Sequence, residues 1–282
     1  MRPNKKSYQK RLLVLITYLL LIFLAGFVLF PLLWIISTSI KPSSEIFAIP
    51  PRWIPNNLTL QNYTNVLFAS AIPKYFINSL VTGLLATVLS LILGGAAGYG
   101  FARYKFKGNK SLSLFMLLSQ MLPLTVLMIP IYFLMLRLNL LDSIFGLALA
   151  HLILTMPLVT WMTRSYFIAI PKELEEAALV DGCSPLKALF KVIIPIAAPG
   201  IAATGIYAFI MSWNEFVLAS VLTSSATART LPIGLTEFSI MFEVDWGSTM
   251  AAATLISLPV IIFFLWLQKH FVQGLSQGAV KG

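Results

Sequence analysis

Acidic residues are scarce in this chain. Asp and Glu number ten among 282 residues, against twenty Lys and Arg, and charged residues make up only 11% of the whole. Cysteine occurs once, as Cys183, which excludes an internal disulfide and any cysteine-built zinc site. The two histidines, His151 and His270, lie far apart in apolar surroundings. An imidazole so placed usually serves as a packed or interfacial hydrogen-bonding group. There is no G-x-x-x-x-G-K-S/T phosphate loop, so the chain has no means of its own to hydrolyse ATP.

Apolar residues are what the chain has in quantity: 58% of it, with a mean hydropathy of +0.87. That balance belongs to integral membrane proteins. Four of the 16 prolines (Pro31, Pro123, Pro130 and Pro157) fall inside apolar runs that read as helices. Bundled membrane helices tolerate this, because neighbouring groups re-satisfy the carbonyls that proline frees.

Six runs reach the ~20 residues needed to cross a ~30 Å hydrocarbon core. They lie near Leu12–Ile36, Phe76–Ala102, Ser111–Leu136, Ile144–Phe167, Gly200–Leu222 and Thr249–Phe271. Pro195 and Pro199 suggest a bent approach to the fifth. The first follows a basic start but is too long for a signal peptide, and reads as an uncleaved span. With the N-terminus inside, fifteen Lys and Arg fall on the inner side and five on the outer. The positive-inside rule then predicts an N-in, C-in protein. The expected fold is an all-α integral membrane protein: a cytosolic N-terminus (1–11), a six-span domain (12–272) and a cytosolic tail (273–282). The net charge of +10 is thereby a topology signal, with attraction to anionic lipid as a consequence and no call for nucleic acid.

On the outer side, PPRWIPNN reads as an irregular link and LTLQNYTNVLF as a short interfacial helix. Asp142, Glu243 and Asp245 read as solvated loop charges within reach of an external partner.

Four of the ten acids sit in one polar insert between the fourth and fifth spans: Glu173, Glu175, Glu176 and Asp181. Pro171 suits a first helical turn, and the glutamates lie at the positive end of that helix. Ala177 and Ala178 offer a small-residue face for close packing into a partner groove. Gly182 supplies a left-handed stop, and Ser184–Pro185 a second start. Leu186, Leu189, Phe190 and Ile193 follow at helical spacing. The pattern predicts a cytosolic helix–turn–helix, about 170–192. It is either a docking surface for a soluble partner or an amphipathic loop on the inner leaflet.

Gly94, Gly95, Gly98 and Gly100 cluster near the inner end of the second span, where small residues let helices approach closely. Glu215, in SWNEF, is the one acid inside an expected span. With Trp213 and Asn214 it makes a candidate sugar contact on the substrate pathway, or an internal polar contact to a neighbouring helix.

The insert EAALVDGCSPLKALFKVIIPIAAPG resembles the EAA loop of the permease subunits of binding-protein-dependent ABC importers. Glu176, Ala177, Ala178, Asp181, Gly182, Phe190, Pro195 and Pro199 match that pattern, and Cys183 replaces a frequent Ala. FPLLWIISTSIKP, NSL near Asn78, GYGFARYKFKG, SWNEF, TLPIGL and FVQGLSQGAVKG extend the likeness to most of the chain. It is closest to the maltose-class sugar permeases, and among them to the second, MalG-type subunit.

The resemblance implies a carbohydrate permease in the cytoplasmic membrane of a prokaryote, with no catalytic residues, metal or cofactor of its own. It implies a larger MalF-type permease partner, a cytosolic MalK-type ATPase dimer carrying ATP and Mg, and an extracytoplasmic sugar-binding protein. It assigns ATPase coupling to Glu173, Glu176, Ala177, Ala178, Asp181, Gly182, Ser184, Pro185 and Phe190, and a C-terminal ATPase contact to Gln277, Gly278 and Lys281. Sugar derivatives such as glycerol phosphates use permeases of similar appearance. A self-sufficient carrier is disfavoured, because almost no ionisable relay exists in the spans beyond Glu215. An intramembrane enzyme is disfavoured because neither histidine has an evident partner in sequence.

Overall fold

The computed structural model describes the backbone of residues 5–240 and 243–279, with side chains placed for 11–238, 244–262 and 265. It is helical apart from one two-residue antiparallel pair, Ser239–Ile240 with Glu243–Val244. In chain order the helices are α1 (Lys5–Ser39), α2 (Ser43–Ile46), α3 (Gln61–Phe68), α4 (Ile72–Arg103), α5 (Asn109–Ser119), α6 (Leu124–Arg137) and α7 (Ile144–Ala169). There follow α8 (Glu173–Val180), α9 (Pro185–Ala188), a π turn (Leu189–Ile193), α10 (Ile194–Trp213), α11 (Val217–Leu222), α12 (Leu231–Thr236) and α13 (Trp246–Ala279). They form two compact units, 1–70 with 238–255, and 71–237 with 256–282.

In the first unit, α1 is apolar all round, and Leu12 to Leu33 lie exposed on every face. A helix of that kind is built for lipid. Its last turn is tied down. Asn62 in α3 donates to the carbonyls of Ser39 and Lys41, both at 2.9 Å, acceptors that a helix end leaves without partners. Lys41 is buried, with its ammonium 4.3 Å from the Trp34 ring centroid and 2.5 Å from the Arg52 carbonyl. Burial pushes this amine below the ordinary lysine range, against the pull of Glu45.

The second unit is organised on α4, α7 and α10, which pack against one another. Gly98 makes the α4–α7 contact possible. A Cβ there would lie 2.2 Å from Thr163 Oγ1 and 2.9 Å from the Arg164 backbone nitrogen. Gly94 abuts Val159 in the same way, whereas Gly95 and Gly100 face open space. The close-approach account therefore holds for two of the four glycines. Ser90 and Thr155 join the two helices by a buried 2.5 Å hydroxyl pair. One apolar cluster sits near the start of α7 (Leu147, Ala150, with Ile131, Met135, Leu218, Leu222 and Ile233). Another sits at its far end (Phe167, Ile170, with Tyr99, Ile193 and Ala197).

Among the described residues four helices are long and apolar enough to cross a membrane: 11–39, 72–103, 144–169 and 185–213. Two expected spans differ. The third, Ser111–Leu136, is broken between α5 and α6 by a 99° bend. Pro123 stands at the break, not inside a helix, because it has no N–H to continue the ladder. Gln120 at that break donates to the carbonyls of Ile153 and Leu154 in α7, at 3.3 and 3.2 Å. Ile153 is the residue four before Pro157, so its carbonyl is the one that proline orphans. The fifth span is not Gly200–Leu222. Its helix runs 185–213 and stops at Asn214, with α11 a separate element. The sixth, expected at Thr249–Phe271, lies within α13, whose apolar portion among the described residues is Trp246–Ile262.

Candidate functional site

The insert folds as its punctuation requires. α8 ends in a Schellman arrangement: Cys183 N donates to Ala178 O at 2.9 Å and Gly182 N to Leu179 O at 3.0 Å. Gly182 takes φ +83°, a conformation that costs any residue with a Cβ. Ser184 caps α9, its Oγ accepting from Lys187 N at 3.4 Å, with Pro185 in the first turn. The second helix then passes through the π turn into α10 without interruption. The wider turn lies just ahead of Pro195, whose ring would otherwise crowd the carbonyl of Lys191. The second helix of the loop and the fifth span are thus continuous, with Pro195 and Pro199 inside the helical run.

Glu173, Glu176, Ala177, Asp181, Gly182, Ser184 and Pro185 are all exposed. Ala178 is not. It is buried at 8% exposure, where α8 meets α9 and the π turn, so it packs the loop's own interior and offers no face to a partner. The apolar stripe of the second helix divides. Ile193 is buried and Leu189 packs beside it, while Leu186 and Phe190 stand 68% and 64% exposed. The outward surface therefore combines carboxylates with two large apolar side chains.

Glu175 has a different part. Its carboxylate pairs with Arg103 Nε at 2.8 Å, with side chains only 15% and 6% exposed, and accepts from the Tyr99 hydroxyl. Both terminal nitrogens of Arg103 donate to Ile170 O at 3.2 Å. One guanidinium thereby binds α8 to the ends of α4 and α7. Arg103 and Tyr99 are residues that sequence reasoning passed over. Both fall within GYGFARYKFKG, and Arg103 among the inner-side charges, but neither is given a partner there.

Residues 212–215 form a second polar centre. Glu215 is 6% exposed; its Oε1 accepts from Leu218 N at 2.7 Å and its Oε2 from Ala219 N at 3.0 Å, capping α11. Oε2 also lies 3.2 Å from His151 Nε2, and His151 Nδ1 lies 2.6 Å from Ser212 Oγ. His151 is thus a packed, hydrogen-bonding histidine, as its apolar surroundings suggest, with neighbours that the sequence alone did not identify. The Ser212, His151 and Glu215 side chains are buried together, which suits a joint between α7, α10 and α11. Trp213 is buried too, stacked on Phe209 and bonded through Nε1 to Ile256 O at 3.3 Å. Asn214 is exposed. All three candidate substrate residues make internal contacts, Asn214 through Nδ2 to Ile210 O at 2.9 Å, but Asn214 alone is exposed.

Of the outer carboxylates, Asp142 is no free solvated charge. Its Oδ1 accepts from Ser224 N and Ser225 N at 2.8 and 2.9 Å. Hydrogen bonds to Ser225, foremost, hold its carboxyl below the ordinary aspartate range. Asp245 caps α13 through Ser248 N at 3.0 Å. The side chain of Glu243 lies outside the described residues. Gln277 and Gly278 fall on the last turns of α13 with their side chains outside the described residues, and Lys281 lies outside them entirely. Gly274–Gly278 spell G-x-S-x-G, but on an unbroken helix, without the strand-to-helix elbow that exposes a nucleophile.

The family described as binding-protein-dependent transport system inner membrane component matches residues 86–277. The diacetylchitobiose uptake system permease protein DasC of Streptomyces coelicolor is 38% identical over 253 residues, covering 90% of this chain and 92% of that protein. The trehalose transport system permease protein SugB of Mycobacterium tuberculosis is 38% identical over 259 residues, covering 91% and 94%. A chain of a bacterial ABC transporter that imports the acidic polysaccharide alginate shares the fold, with TM-score 0.79, 24% identity, and coverage of 96% of this chain and 100% of that one.

Proposed function

The chain belongs to the binding-protein-dependent transport system inner membrane component family, and from that premise we propose that it is the permease subunit of an ATP-driven carbohydrate importer. The family is a transport component and not the ATPase, and its transport system includes a substrate-binding protein. The relatives named for diacetylchitobiose and trehalose support a di- or oligosaccharide as cargo.

In this reading six spans cross the cytoplasmic membrane of a prokaryote with both termini inside. The bent pair α5–α6 makes one span and α13 the last. A second, MalF-type permease completes the pathway. A separate MalK-type ATPase dimer supplies ATP and Mg, which this chain does not bind itself. Residues 171–193 dock on that ATPase through Glu173, Glu176, Ala177, Asp181 and the exposed Leu186 and Phe190. Gly182, Ser184 and Pro185 set the bend, and Ala178 packs beneath it. Gln277, Gly278 and Lys281 add a C-terminal contact. The sugar passes Asn214, with Trp213 and Glu215 supporting that position from inside.

The observation that carries the proposal is the continuity of the docking surface with the transmembrane elements. α9 runs on into α10, and Arg103–Glu175 fixes α8 to α4 and α7. A displacement imposed on the loop is therefore carried into three spans. ATP and the loaded binding protein shift the access equilibrium only if each favours one arrangement of those spans.

The test is uptake of radiolabelled trehalose and diacetylchitobiose by cells expressing this chain with its partner permease, ATPase and binding protein. ATP-dependent uptake of either sugar, lost together with ATPase association on Gly182→Trp, is the expected result. Uptake by the chain alone in ATPase-free liposomes refutes the coupling.

A further inference from the structure

A cavity of about 520 Å³ opens at the end of α4, between the 104–108 link, the start of α5 and α7. Five of its lining residues are cations (Arg103, Lys105, Lys110, Arg164 and Lys172), and none is acidic. Glu175 neutralises Arg103. Among the described residues the other four have no ion-pair partner.

A narrow crevice shares Phe101 and Arg164 with this cavity and is otherwise lined by Ser113, Met116, Pro157, Thr160 and Trp161. On the wall the two share, Arg164 Nε is buried with no hydrogen-bond partner. A buried donor without an acceptor is costly, and converging like charges repel. Both costs fall if an anion with several acceptor oxygens occupies the cavity. Tyr104 and Phe106 stand exposed at its rim, aromatic side chains of the kind that sit at headgroup depth.

We propose that the cavity binds the phosphate of an anionic phospholipid headgroup. Lys105, Lys110, Lys172 and Arg164 act as donors. A basic pocket between membrane helices has the charge and the donors for such a headgroup, and the Tyr104 and Phe106 rim suits headgroup depth. Diffuse attraction of lysines to an anionic leaflet accounts for scattered surface charge. It does not account for a concave site with an unpaired buried donor. Because Arg103 both lines the cavity and holds Glu175, the bound headgroup lies against the joint that fixes the docking loop. The assignment to the inner leaflet, though not the site itself, rests on the orientation proposed above.

Native mass spectrometry of the full chain in detergent, titrated with phosphatidylglycerol, phosphatidylcholine or glycerol 3-phosphate, tests the proposal. Phosphatidylglycerol is expected to bind at least about tenfold tighter than phosphatidylcholine, and Lys105→Gln with Lys172→Gln to remove most of that preference. Lys187→Gln with Lys191→Gln removes the same charge outside the cavity and is expected to leave it intact. Equal losses from the two pairs, or no preference between the lipids, overturn the site. Glycerol 3-phosphate binding as tightly as the lipid assigns the cavity to a soluble phosphate compound and overturns the lipid. Detergent removes sidedness, so an error in orientation leaves this result unchanged. It appears instead when Lys105 in sealed inside-out vesicles fails to react with an impermeant amine reagent.

Discussion

Gly182 has open space around it, yet its φ of +83° reserves the position for glycine. Gly182→Ala is expected to cost about 1–2 kcal/mol of local stability from backbone strain alone. Limited proteolysis of the loop reads that loss, with the spans unaffected. Breaking the Arg103–Glu175 pair leaves a largely buried charge behind, so Arg103→Ala should cost about 3 kcal/mol. A smaller drop in detergent melting stability for the double variant Arg103→Ala/Glu175→Ala than for the single one identifies the pair as coupled.

Asp142 makes a pH-dependent contribution. Its folded-state pKa lies below the unfolded value, so its stabilisation is present in full above the ordinary aspartate range and is lost as pH falls through the folded value. Asp142→Asn should therefore melt below the native chain at pH 7, and the gap should close under acid. A gap unchanged in acid means that the carboxylate charge is not what holds residues 224–225. At this scale the Gly182 stop and the Ser184–Pro185 start were legible, because a cap involves only a few neighbouring residues. The partners of Glu175 and His151 were not legible, since they lie on other helices that only tertiary packing brings near.

At the scale of elements, hydropathy misses the break at one proline, although Pro31, Pro130 and Pro157 lie inside unbroken helices. An apolar window sees 111–136 as one run, but the backbone breaks at Pro123, and the side chain of Gln120 turns that break to use beside Pro157. Gln120→Leu keeps the hydropathy and removes the donor, so it should lower stability by about 1 kcal/mol. Equal melting of the variant and the native chain excludes that bond as a contributor. Hydropathy also carried the fifth span too far, because the apolar run continues through Leu222 while α10 stops at Trp213 and α11 is a separate helix. The glycine cluster separates by the same logic of neighbours. Gly98→Ala should push α4 from α7 and cost about 1–3 kcal/mol, whereas Gly95→Ala meets nothing within 4 Å and should be neutral or slightly stabilising. If the two melt alike, the close approach of α4 and α7 does not depend on glycine.

For the whole molecule, charge asymmetry, apolar runs and the polar insert were enough to give the class of protein, since each is a property of composition along the chain. The joints were not, since they are properties of packing. What the structure adds is a mechanical route: an exposed acidic and apolar loop, one helix of it continuous with a span, the other fixed by Arg103 to two more. The central claim is that this loop is where an ATPase docks. A photo-crosslinking residue placed at Phe190, in the complex purified with its ATPase, tests that most directly. The account predicts an ATP-sensitive crosslink to the ATPase from position 190 and none from position 224. Crosslinking from position 224, or none from 190 in a complex that retains the ATPase, would contradict it.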